Sequence, residues 1–479
     1  MSVDRERQRS PALWARERVS LRPSLWSTLP VFGLAFAGTL LVALCQAPKP
    51  FYYDSGGYWT LAEAFTRQGH FSLLNFDDPL RGYVLPLGNY ALQIVGKGLG
   101  WSQSSMVKLF NALLFALIGG VLAPNLAEIA WPRLHWGFTR RLALVALLVV
   151  FWSGYLNFPL SDFPALTMVL VALVAISHTD SPAWLLTAGV ACGLATDIRP
   201  EYLLLGPMLL LLTVWGWLNL KRREMRQAPF VRRALGVGLL VIGFAAVSLP
   251  QSLVSHMYYQ TWSFVPGAAA HLSDQQLGNG LEYQRYDTYV GSDRPPEMFY
   301  FDETGMQLLS EQPNHTIESL SQYAGLIVAH PVFMSGLMAR HIINGLDQRF
   351  STPYIEHPHS RLEWLRRFAG FLLIFLAVVR VLWPAARHSL RPARWRYPVV
   401  LLLCCVTSVP LAVEPRYFLP AYLLSYLLVL APGWPSPLGQ ADMGRRRFVT
   451  PAVLAGAYLV SMAVVWHVVS VTTSKLHFG

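Results

Sequence analysis

The chain has 479 residues, of which 53% are hydrophobic and only 14% charged, well below the roughly 25% charge of soluble domains. That balance excludes one large soluble core and describes a multi-span membrane protein, with 16 Trp and 20 Tyr suited to membrane–water interfaces. The formal charge of +11 does not indicate a nucleic-acid partner, because the basic residues punctuate apolar runs instead of forming one stripe.

Residues 1–25 read as a basic cytoplasmic tail, followed by a retained first span near 26–45 rather than a cleaved signal peptide. Further apolar runs lie near 106–127, 141–156, 163–177, 183–196, 201–218, 234–250, 365–383, 397–413, 417–431 and 449–470. Each is long enough to cross, or nearly cross, about 30 Å of hydrocarbon. The expected fold is therefore an all-α membrane protein of about 11 transmembrane helices. The N-terminal transmembrane region covers 26–250 and includes a first extracytoplasmic loop, 46–105; a large extracytoplasmic loop, 251–364, precedes the C-terminal transmembrane region, 365–479. With the N-terminus inside, the inside segments hold most of the 38 Lys and Arg but few of the 27 Asp and Glu, as the positive-inside rule requires. Cys45, Cys192, Cys404 and Cys405 fall inside or at the rim of apolar runs, so no disulfide framework is expected.

Both outer loops predict surface helices. After Phe51-Tyr52-Tyr53-Asp54-Ser55-Gly56-Gly57-Tyr58, the residues Tyr58, Leu61, Ala62 and Phe65 recur at helical spacing, with Glu63 and Arg67 as an i,i+4 pair and Gly69 as the stop. Residues 323–346 are apolar enough to suggest a twelfth span, but His330-Pro331 and Arg340-His341 interrupt them. They read as an amphipathic helix lying at the outer surface.

The charges suited to chemistry all fall at outer span ends: Asp54 after the first span, Asp162 between the third and fourth, and Arg199 and Arg416 in two later outer turns. Each has a plain structural explanation. Asp54 and Asp162 precede helices, where Asp is a favoured N-cap. Arg199 could pair with Asp197 or Glu201, and Arg416 with Glu414. Brought together, two carboxylates and two guanidiniums would be suited to holding a lipid-linked phosphate while deprotonating an attacking hydroxyl.

The order of these motifs resembles the GT-C superfamily of polyprenyl-phosphate-sugar-dependent glycosyltransferases. The matching pieces are Asp54 after the first span, Ser161-Asp162 opening the fourth, and Arg199-Pro200-Glu201 with Leu205-Gly206-Pro207. Ala329-His330-Pro331, Arg416-Tyr417-Phe418-Leu419-Pro420 and Arg81-Gly82-Tyr83-Val84-Leu85-Pro86 complete the set. Within that superfamily the chain is most similar to bacterial relatives of the protein mannosyltransferases and the lipid A aminoarabinose transferases. The resemblance implies a multi-pass protein of the bacterial inner membrane, with its site facing the periplasm. It also implies Asp54 as general base and Asp162 as a second acid, with Arg199, Arg416, Arg81 and His330 as donor-phosphate contacts. Ser55 stands where many protein mannosyltransferases carry Glu, so a glycan, a lipid or a protein remains open as acceptor. Metal use is also open: Asp54 and Asp162 could hold Mg²⁺ or Mn²⁺, but no third ligand accompanies them. The competing readings are an O-antigen polymerase or ligase, which would lean on Arg285 and Arg294 in the large loop, a flippase for a lipid-linked sugar, and a membrane scaffold.

Overall fold

The computed structural model describes residues 25–132, 134–178, 181–218, 230–291, 297–358, 361–382, 390, 394–432, 451–474 and 476–478. The basic tail, Arg294 and most of the arginines that set the orientation lie outside the described residues. The chain begins with α1 (Leu25–Cys45), α2 (Tyr53–Thr60), α3 (Val84–Leu99) and α4, a continuous helix Gln103–Ala130 with a π-helical stretch at Leu117–Leu122. Next come α5 (Phe138–Trp152), α6 (Asp162–Ile176), α7 (Pro182–Ile198), α8 (Leu205–Leu218) and α9 (Phe230–Tyr259). The polar region holds α10 (Leu272–Glu282), β1 (Tyr283–Tyr289), β2 (Glu297–Phe301), α11 (Glu303–Ser310), α12 (Leu320–Ala329), α13 (Pro331–Gly345) and β3 (Tyr354–Ile355). It is followed by α14 (Arg361–Leu382), α15 (Arg396–Leu403), α16 (Leu419–Leu430), α17 (Pro451–Ser474) and β4 (Leu476–Phe478).

Every one of the eleven apolar runs contains a helix, yet fewer are full-length spans. Among the described residues, Thr28–Cys45, Gln103–Ala130, Phe138–Asn157, Ala234–Tyr259 and Leu454–Thr472 are long and apolar enough to cross a membrane, making 5, or 6 if the bent pair α12–α13 counts as one. α6, α7, α8, α15 and α16 belong to shorter apolar stretches of 10–17 residues. At about 1.5 Å per residue, such helices rise less than the ~30 Å of hydrocarbon. α6 is buried along nearly all of its length, against protein rather than lipid. α7 and α9 approach closely through small residues: a Cβ on Gly193 would lie 2.9 Å from Val247, and one on Gly189 would strike the Leu240 carbonyl.

The single amphipathic helix expected over 323–346 is two helices, α12 and α13, bent by 112° at His330-Pro331. Pro331 has no N–H to continue the first helix and opens the second at its first position. Val328 and Val332 flank the bend, 80% and 85% exposed.

The all-helical expectation needs one amendment, a four-stranded sheet in the order β3-β1-β2-β4. β1 pairs antiparallel with β2 and parallel with β3, while β4 returns to β2. Side chains alternate between its two faces. Arg285, Asp287, Tyr289, Met298 and Tyr300 share the inward face, where Tyr289, Met298 and Tyr300 pack with Ile355. Tyr286, Thr288, Glu297 and Phe299 share the other.

Candidate active site

The Asp54 stretch is fixed locally before it meets anything distant. Tyr53 adopts φ +40, a left-handed conformation unfavourable for a residue with a Cβ. The turn is held by Ser55, whose N–H donates to the Tyr354 hydroxyl at 3.0 Å and whose own hydroxyl donates to the Tyr52 carbonyl at 2.6 Å. Of the two glycines, Gly56 packs on the Phe51 carbonyl and Gly57 is open to approach. Tyr52, not Asp54, occupies the N-cap of α2, with no side-chain cap bond. The Asp54 carboxylate instead accepts from Arg81 Nη2 at 2.5 Å and from Arg416 Nη2 at 3.2 Å.

Three further turns converge there. Asn111 of α4 donates to the carbonyls of Tyr155, Leu156 and Phe158, which fixes the turn that presents Asp162. Asp162 opens α6, but Ser161 is the N-cap position. The Asp162 carboxylate, buried, accepts from Arg199 and lies 4.0 Å from Arg416 Nη1. Arg199 leaves the end of α7 in extended backbone, which turns it away from Asp197 and toward Asp162, with Glu201 3.6 Å from its Nε. Arg416 donates through Nη2 to Glu414 at 2.8 Å, and Tyr417 lies beneath both Arg199 and Arg416, with its ring centroid 4.9 and 5.7 Å from the two guanidiniums. Arg81 is set by a turn in which Asp78 Oδ1 accepts the N–H groups of Leu80 and Arg81. Asp197 does not pair with Arg199 at all: it accepts the Val84 N–H at 2.9 Å and packs so tightly on Gly82 that a Cβ there would collide with it.

Asp54, Asp162, Arg81, Arg199 and Arg416 therefore form one cluster. His330 does not join it; it is exposed at the α12–α13 bend, with its N–H on the Leu326 carbonyl. The i,i+4 pair of Glu63 with Arg67 is replaced by Arg67 on Asp77 at 2.6 Å, because residues 61–66 form a 3₁₀ helix that rotates the two side chains apart. That element ends at Thr66 with Arg67 as its cap, and Gly69, at φ +81, completes the turn that follows by donating its N–H to the Thr66 carbonyl. Three members went unassigned in the sequence: Tyr58, which faces Arg81, Tyr354, and Glu414 as a full partner in the network. Only Glu414 carried a signal, its place two residues before Arg416.

Burial opposes ionisation of Asp54, but Arg416 and Arg81 outweigh it and hold the carboxyl below its ordinary value. Burial pushes Glu414 up, against the pull of Arg416. Asp54 opens onto a cavity of about 160 Å³ lined by Tyr53, Tyr286, Thr288, Glu297, Tyr354, Glu414 and Arg416 among others. A larger cavity of about 590 Å³, between His271 and Glu318, contains none of the predicted site residues. Among the described residues no group of three or more His, Cys, Asp and Glu is arranged to hold a metal ion, and both Asp54 and Asp162 are turned to guanidiniums.

No protein-family model and no curated protein matches the chain.

Proposed function

We propose that the chain is a membrane-embedded glycosyltransferase of the GT-C type. It moves a sugar from a polyprenyl-phosphate donor to an acceptor hydroxyl on the periplasmic side of a bacterial inner membrane. One observation carries this reading: a carboxylate at a cavity mouth, Asp54, is held by two arginines from separate turns, Arg81 and Arg416. Arginine binds phosphate by the same fork that binds carboxylate. The donor phosphate and the carboxylates thus compete for the same guanidiniums.

That competition gives a sequence of events. As Arg416 and Arg81 turn to the incoming phosphate, Asp54 loses the charges that depress its proton affinity and becomes a stronger base. The acceptor oxygen then bonds to the anomeric carbon as the carbon–oxygen bond to phosphate breaks. Its proton passes to Asp54, and the electron pair stays on the phosphate oxygen, beside Arg199 and Arg416. A single displacement inverts the anomeric centre. The polymerase or ligase alternative is less well supported, because Arg285 is 1% exposed and bound to Asp287 and Asp347.

The test is transfer from a radiolabelled polyprenyl-phosphate sugar by membranes containing the chain. Asp54→Asn is expected to lower transfer by about 10²–10⁴-fold, the range of general-base catalysis, with protein abundance unchanged. A variant as active as the parent would end the assignment.

A further inference from the structure

The cavity at Asp54 has two unlike sides. Of the three arginines at the helix-end turns, Arg416 lines one side, while Arg81 and Arg199 stand outside the lining. The opposite wall is the outward face of the sheet, where Tyr286 and Thr288 alternate along β1 and Glu297 stands directly across from Thr288 on β2. This wall is tied to the reacting carboxylate rather than merely near it. β3 runs beside β1 in the register Thr288 to Tyr354, and the Tyr354 hydroxyl accepts the N–H of Ser55, the residue after Asp54. Tyr354 also stacks on Tyr53 at 6.4 Å, and the Tyr53 ring remains 46% exposed.

The chemistry of this wall is selective. The lining contains three carboxylates, Asp54, Glu297 and Glu414, and one guanidinium, Arg416. That guanidinium already faces Asp54 and Glu414. Carboxylates accept from hydroxyls, Thr288 supplies a hydroxyl, and the exposed Tyr53 ring offers a flat surface to the apolar face of a pyranose. A phosphorylated group would meet an excess of like charge on this side. At about 160 Å³ the space is small, so it takes one terminal residue and not a long glycan.

We infer that Tyr286, Thr288 and Glu297 on the sheet form the acceptor subsite, and that the group seated there is an uncharged sugar end bearing free hydroxyls, not a phosphorylated one. This rests on the transferase reading, and it gives the carboxylates and hydroxyls of the cavity to the acceptor, with the donor phosphate met by the arginines of the helix-end turns. Glu297 is then a specificity-determining residue that does not take part in proton transfer.

Binding separates the inference from the reading on which it rests. The full chain, purified in detergent, is titrated with the methyl glycosides of glucose, galactose, mannose and N-acetylglucosamine, and with the 6-phosphate of each. At least one neutral glycoside is expected to bind about tenfold or more tightly than its 6-phosphate. Glu297→Lys should erase or invert that preference, and Glu297→Gln, which keeps the shape of the wall, should reduce it if the lysine variant does not fold. Equal binding of neutral and phosphorylated forms overturns the inference, as does binding of neither or a preference unchanged in Glu297→Gln. Transfer is followed in the same preparations. Active wild-type protein without the binding preference refutes the acceptor subsite alone, whereas absence of transfer with the preference intact refutes the transferase reading.

Discussion

Two arginine–carboxylate networks occupy this molecule, built from the same residue types and put to different uses. One surrounds Asp54. The other surrounds Asp347, which accepts from Arg367 at 2.8 Å and from Arg285 at 3.0 Å, while Asp287 accepts from Arg285 at 2.9 Å and Arg349 at 3.0 Å. The side chains of the second network are 0–9% exposed, and it fastens the inward face of the sheet to α14 and the segment after α13. Asp54 is 30% exposed at a cavity. Pairing alone therefore says little about function. Access at Asp54 separates the two: the second network is sealed throughout, whereas the first includes an open carboxylate whose arginines can exchange it for a ligand.

Substitutions can break this contrast. The largest stability effect is expected from Asp347→Ala, which leaves three arginines without their shared anion and should cost about 3–5 kcal/mol, the range for breaking a buried pair. Thermal unfolding in detergent measures it, and a loss no greater than that of Asp54→Ala would erase the distinction. Next is Arg416→Lys, which replaces a fork reaching Glu414 and Asp54 with a point charge. Weaker donor binding by about 1–3 kcal/mol is expected at nearly unchanged melting temperature, read by titration with a polyprenyl-phosphate sugar.

A third test uses pH. Burial opposes the Asp347 charge, but Arg367, Arg285 and Arg349 prevail, so its folded-state pKa lies below the unfolded value. Such a group contributes stability that is complete above its unfolded pKa of about 3.9 and is lost as pH falls through the folded value. The melting temperature of the wild type should therefore fall more steeply on acidification below about pH 4 than that of Asp347→Asn; parallel curves would remove Asp347 as the cause. The smallest effect belongs to Glu63→Ala, because Arg67 is held by Asp77 instead. A change within about 0.5 kcal/mol is expected, and a larger one would restore the helical pair expected from spacing.

Much of the candidate site was legible because its members sit where apolar runs stop. Asp54, Asp162, Arg199 and Arg416 are all at run ends, and charges at one depth between packed helices must find one another. Arg81 was reached through a resemblance alone; nothing in its spacing announces the bond to Asp54. The partner of Arg199 was open between Asp197 and Glu201; the structure keeps Glu201, at 3.6 Å, and adds Asp162, because extended backbone after α7 swings the arginine across to the neighbouring turn. The sheet was hidden for a different reason. β1 mixes tyrosines with Arg285 and Asp287 and buries charge on its inward face, so the usual alternation of apolar with polar residues is absent. Run lengths do not carry the span number, since an apolar stretch wholly surrounded by protein need not match a bilayer, and five or six helices among the described residues are long and apolar enough to cross one.

The brevity of α6 has a consequence for how its first residue is housed. Its 15 residues rise only about 22 Å, while the 30 residues of α9 rise about 45 Å. A helix that short, enclosed by protein along nearly all of its length, keeps its first residue, Asp162, inside the bundle, where Arg199 and Arg416 meet its charge. An anion that reached Arg199 would therefore have to displace a carboxylate that solvent does not touch.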